Sequence, residues 1–118
     1  MREFHDATID VFTTKGSDLL LEMEDVGVYE EAAVPDGTHE TGTFTIFGVK
    51  RLLENGEEVT APTCAFSYGR ILDLTVTEDG VVLLVEWQFA DPSISRFAEY
   101  KIYGEGTSWV PSASFPPE

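Results

Sequence analysis

The two histidines, His5 and His39, are each followed directly by an acid, Asp6 and Glu40. That is the pairing a metal site or an acid/base couple would use. Adjacent residues on a strand point to opposite faces, so neither pair can chelate one ion, and no Cys and His cluster or helical His pair supplies zinc spacing. The acids lack the alternating ligands of a calcium loop that end in a bidentate glutamate. Cys64 would need a neighbouring cation or imidazole to form a thiolate, and the field of an acidic chain opposes that anion, so it reads as an inert thiol. There is no Gly-x-Ser-x-Gly elbow and no phosphate-cradling glycine loop. Any two acids could meet in space as a carboxylate pair, but no spacing singles a pair out. The expectation is a protein without catalytic apparatus, metal or cofactor.

The distribution of charge is more informative. Residues 16–49 contain eight acids, Asp18, Glu22, Glu24, Asp25, Glu30, Glu31, Asp36 and Glu40, and no Lys or Arg. The whole chain has 22 acids against 7 Lys and Arg, a net charge of −15. Such a field repels phosphate backbones and anionic lipid heads, which argues against direct nucleic-acid or membrane binding. It attracts a basic protein. Charge of this kind speeds association and selects partners, while affinity comes from buried aromatic anchors. Tyr29 lies in the middle of the run and is the candidate anchor. Two blander readings stand beside these: acidity that serves only solubility, and a Tyr29 that only caps the core.

Period-two alternation, punctuated by turn residues, positions these groups on antiparallel strands. The first, 7–14, sets Ile9, Val11 and Thr13 on one face and Asp10 and Phe12 on the other, and Lys15-Gly16-Ser17 turns the chain. From Asp18, the residues Leu19, Leu21 and Met23 share a buried face while Glu22 and Glu24 point to water. Residues 19–31 could also read as a short helix, against which Gly27 and the β-branched Val26 and Val28 count. After Pro35-Asp36-Gly37 a third strand covers 41–49, and Asn55-Gly56 marks a hairpin between 50–54 and 57–60. Residues 71–77 and 81–89 form a second hairpin around Asp79-Gly80, with Val81, Leu83, Val85, Trp87 and Phe89 on one face. The strand from 81 should be central. Asp91-Pro92-Ser93 ends it, 94–103 is another strand, and a short one closes through Trp109 after Gly104-Glu105-Gly106. Trp87, Trp109, Phe44 and Phe47 read as core.

A chain of 118 residues with 42% hydrophobic content supports one core without staples. The expected fold is mainly β, an antiparallel β-sandwich or partly open barrel of seven to eight strands with at most one short helix. One acidic domain, 1–110, would be followed by a proline-rich tail, 111–118, extended unless Phe115 docks. A lone cysteine, a charged start and the absence of an ~18-residue apolar window make the cytoplasm the expected compartment.

Laid out this way, the order of local motifs resembles small bacterial immunity proteins of polymorphic toxin systems and related bacterial domains. The resemblance rests on Phe4-His5-Asp6-Ala7, Phe47-Gly48-Val49, Gly69-Arg70-Ile71-Leu72-Asp73, Val85-Glu86-Trp87 and Tyr100-Lys101-Ile102-Tyr103-Gly104. It does not extend to the connection 30–40. It implies a non-catalytic inhibitor that covers the active surface of a cognate toxin inside the producing cell. A toxin that cuts nucleic acid needs a basic cleft, and an acidic inhibitor docks on the same field. The charge suits a decoy that mimics nucleic acid equally well. Two further readings are a small β-barrel that binds or turns over a ligand, for which a closed apolar cavity would speak, and a homo-oligomeric subunit joined through an exposed edge strand. The expected solution state is a monomer or a weak homodimer.

Overall fold

Alternating apolar and polar residues between turn signals build one antiparallel sheet. The structure, a computed structural model, describes residues 1–63, 68–89 and 94–117. They form β1 (Arg2–Glu3), β2 (Thr8–Lys15), β3 (Asp18–Val28), β4 (Thr38–Phe47), β5 (Arg51–Glu54), β6 (Glu57–Val59), β7 (Tyr68–Thr77), β8 (Gly80–Gln88), β9 (Ser95–Tyr103) and β10 (Gly106–Phe115). Among the described residues there is no helix, and 19–31 is strand as far as Val28. The expected turn at Asp91-Pro92-Ser93 and the lone Cys64 lie outside the described residues. No helix among the described residues is long and apolar enough to cross a membrane.

The strand order is β10-β4-β3-β2-β7-β8-β9-β5-β6, with β1 beside β3, and the sheet does not close. Strands β2 and β7 share only the pairs Thr8↔Arg70 and Ile9↔Gly69. At this joint the sheet folds over, and one hydrophobic cluster fills the space between its halves. Ile9, Leu19, Leu21, Met23, Phe44 and Ile46 come from one side, and Ile71, Leu83, Val85, Trp87, Tyr100 and Ile102 from the other. The Trp87 indole donates to the Tyr100 hydroxyl at 3.1 Å, so the buried indole N–H finds its acceptor on a second buried ring. As its apolar run predicts, β8 is central, between β7 and β9.

Turn chemistry fixes the hairpins. Asn55 and Gly56 have φ of 52° and 83°, the left-handed pair that matches a hairpin's twist. Gly80, at φ 151°, packs so tightly that a Cβ there would stand 1.8 Å from the Ile102 carbonyl oxygen. The links after β4 and β9 cross at one end of the molecule. There the Gly48 N–H donates to Asp18 Oδ1 at 3.1 Å, Lys50 N–H to the Tyr103 carbonyl at 2.8 Å and Glu105 N–H to the Phe47 carbonyl at 2.7 Å.

Four details depart from simple alternation. A β-bulge between Ile9 and Val11 shifts the phase of β2. Phe12 consequently packs inward, with its ring centroid 5.0 Å from Tyr100 and 6.2 Å from Trp87, while Val11 is exposed. Phe47 is not core: Phe44 and Ile46 point inward, Phe47 is one position out of step with Ile46, and it is 42% exposed. Trp109 is half-buried, edge-on to Phe4 at the margin of the core. Finally, β10 runs on past Trp109 to Phe115, paired with β4 down to His39 across a bulge between Pro111 and Ala113. Residues 111–115 therefore belong to the sheet where a tail is expected.

Candidate partner-binding face

Strand β3 distributes the acidic run between the two ends of the molecule. Asp18 begins it at the crossover end, accepting the Gly48 N–H. Glu22 stands mid-strand on the outer face, opposite Val11 on β2 and Thr43 on β4. Glu24 and Asp25 form a second bulge, between Met23 and Val26, which drives Asp25 to φ 61° and leaves both carboxylates exposed. In the loop after β3, the Glu30 N–H donates to Asp36 Oδ1 at 2.9 Å, an internal tie that leaves both acids exposed.

Glu24 does not stand alone. The bulge of β2 brings Asp10 beside it, and the neighbouring Asp10 charge, with a smaller contribution from Asp25, pushes the Glu24 pKa up. No ion pair to Asp10, Glu24 or Asp25 occurs among the described residues. Of the seven Lys and Arg, Lys15, Lys50 and Arg51 gather at the crossover end, and Arg96 and Lys101 stand on β9.

Glu31 and Glu40 behave differently. Glu31 Oε1 lies 2.8 Å from the Met1 amino group and 2.6 Å from Arg2 NH1, and these cations hold its pKa down. Glu40 is buried at 5% exposure. It accepts from Arg2 Nε at 2.8 Å and from the Trp109 indole N–H at 2.9 Å, and the Arg2 hydrogen bond outweighs desolvation to lower its pKa as well. These two carboxylates tie β1 and β10 to the sheet, Glu40 from a buried position and Glu31 from an exposed one. The cause is plain: Arg2 reaches across β3 to both.

Gly27 marks the centre of the remaining surface. It pairs with Glu3 on one side and His39 on the other. Beside it lies a hollow of ≈ 240 Å³, lined also by His5, Asp6, Asp25 and Tyr29. The half-buried Tyr29 ring lies across the glycine, so close that a Cβ at residue 27 would come within 2.8 Å of Tyr29 Cε2. His39 reaches the hollow through its pairing with Gly27, and His5 from the turn after β1. His5 donates from Nδ1 to the Leu72 carbonyl at 2.6 Å, and Asp6 accepts from Arg70 at 3.1 Å. Among the described residues no three His, Cys, Asp or Glu form a group able to hold a metal ion.

Glu3, Asp6 and Asp10 join this face although sequence reasoning did not place them there. The simple hairpin register sets Asp10 opposite Met23, and only the bulge turns it toward Glu24. Comparison of the chain with protein-family models, curated proteins and solved structures gives no match. The likeness to immunity proteins therefore rests on the short motifs quoted above.

Proposed function

We propose that this chain is a non-catalytic binding protein that docks the acidic outer face around β3 on a basic protein, in the manner of an immunity protein neutralising a toxin within the cell that makes both. The observation that carries this reading is the group Asp10, Glu24 and Asp25: three exposed carboxylates that the bulges of β2 and β3 place on paired strands, with no ion pair to any of them among the described residues. Like charges held together on a rigid backbone cost free energy, and a cationic surface relieves that cost on docking. Tyr29 supplies an aromatic face beside Glu3 and Asp25, suited to a Lys or Arg side chain. The core between the two halves of the sheet is filled by side chains, which favours this reading over a ligand-binding barrel.

The test is coexpression with the adjacent reading frame in a sensitive host. Protection of growth by the wild-type chain, lost in an Asp10→Lys/Glu24→Lys variant that still folds, is the expected result. Equal protection by both proteins, or by neither, would overturn the assignment.

A further inference from the structure

We infer that the free edge of β10 is a self-recognition surface, through which two copies of this chain pair antiparallel about a two-fold axis near Ser108. The inference is independent of the acidic face. It begins with the two ends of the strand order. The edge strand β6 is three residues long and carries Glu57 and Glu58, a guarded edge. The edge strand β10 has ten residues, and from Gly106 to Pro117 the chain has no charged residue, although a quarter of all its residues are charged. Its backbone is paired on the β4 side only. Pro111 and the following bulge interrupt it, which leaves 106–110 as a regular run.

Three positions in that run make it self-complementary. Gly106, Ser108 and Val110 share the outer face, paired with Phe47, Thr45 and Thr43 of β4. Val110 is 59% exposed and forms a knob, and Gly106 is a notch, because a Cβ added there meets nothing within 4 Å. Phe47, 42% exposed, stands directly beside the notch. Antiparallel pairing centred on Ser108 sets residue 106 of one copy opposite residue 110 of the other. Each Val110 then lies over the opposing glycine and against the opposing Phe47, twice by symmetry. An unrelated strand would match this spacing only by accident; a second copy matches it by construction.

The net charge does not forbid the pairing. Glu40, the one acid on β4, is buried and held by Arg2, and the Glu105 side chain folds back over Gly48, away from the free edge. The outer-face acids Asp18 and Glu22 are two strands in, and Glu78, at the β7–β8 turn, lies beside Gly106 and Thr107. Equivalent Glu22 residues would be separated by five strand spacings, roughly 24 Å, or about three Debye lengths at physiological salt.

Sedimentation of the full chain from micromolar to millimolar concentration tests the proposal. The expected average mass rises from one chain toward two, and does so at lower concentration when salt is raised, because only residual repulsion opposes contact. Amide exchange at 106–110 should slow in parallel. Val110→Lys places two charges at the seam, and Gly106→Thr fills the notch at a position where the single chain has room. Each should weaken association at least tenfold while the circular dichroism of the monomer stays unchanged. A one-chain mass at every concentration would overturn the proposal. So would a dimer that both variants leave intact, or protection of 106–110 that appears only when a different protein is added.

Discussion

The guanidinium of Arg2 grips the buried carboxylate of Glu40, Nε to Oε1 at 2.8 Å, and the same oxygen accepts the Trp109 indole N–H. A two-residue strand, β1, is thereby locked across β3 to β4 and β10. Removing Arg2 strands a carboxylate that is only 5% exposed. Arg2→Ala should cost roughly 2–4 kcal/mol in urea unfolding, and Glu40→Gln, which keeps an oxygen for Trp109, about 1–2 kcal/mol. In a Glu40→Gln background, the further loss of Arg2 should cost distinctly less than it does in the wild type. Additive costs would mean that the two side chains do not act together.

Acid should weaken the fold through these carboxylates. Glu31 and Glu40 have folded pKa values below the ordinary range, so their stabilisation is complete above that range and is lost as pH falls through the lowered values. Glu24 works in the opposite sense. Its pKa is raised, so its charged form opposes folding at neutral pH, and proton uptake relieves the strain as pH falls through the raised value. Glu24→Gln should therefore shift the urea midpoint upward at pH 7, by an amount that vanishes on acidification, whereas Glu40→Gln should flatten the acid limb. A Glu24→Gln midpoint below wild type at pH 7 would contradict the repulsion from Asp10.

The β2 bulge assigns the burial of Phe12 and Val11. Phe12→Ala removes a ring packed on both Trp87 and Tyr100, and should cost about 3–4 kcal/mol, while Val11→Ala on the outer face should stay within about 0.5 kcal/mol. Equal effects would place the bulge elsewhere.

This strand also shows where sequence reading stops. Turn dipeptides and strict alternation gave the Asn55-Gly56 hairpin, the Asp79-Gly80 turn and the inward row Val81, Leu83, Val85 and Trp87, because along β8 each side chain's face follows from counting by two, whereas β7 carries a bulge between Ile71 and Asp73. A bulge adds one residue and reverses every face beyond it, and neither bulge next to the acidic face has a Gly or Pro to announce it. Hence Phe12 reads as solvent-facing and Asp10 as unrelated to Glu24. The continuation of β10 was hidden by Pro111, which an edge strand tolerates because it has a neighbour on only one side. The eight-acid run was legible as composition. Which of its members remain charged and free was not, because Arg2 lies far away in sequence and finds Glu31 and Glu40 only through the pairing of β1 with β3.

Charge reversal separates the members of that run. Asp10, Glu24 and Asp25 hold exposed, unpaired charge on strands whose inner faces are fixed in the core, so Asp10→Lys/Glu24→Lys should leave the unfolding midpoint equal to or above wild type. The same variant should slow capture of a basic probe such as an oligo-arginine peptide, measured by stopped-flow at low ionic strength, by about tenfold or more, since long-range attraction acts on the association rate. The difference between variant and wild type should shrink as salt rises. Glu31→Lys should do the reverse, lowering the unfolding midpoint by expelling the Met1 amino group and Arg2, with a smaller effect on capture. Tyr29→Ala should chiefly raise the dissociation rate, because an aromatic anchor acts after contact is made. Capture at the wild-type rate by Asp10→Lys/Glu24→Lys at low salt would remove the physical basis for placing the partner on this side of β3.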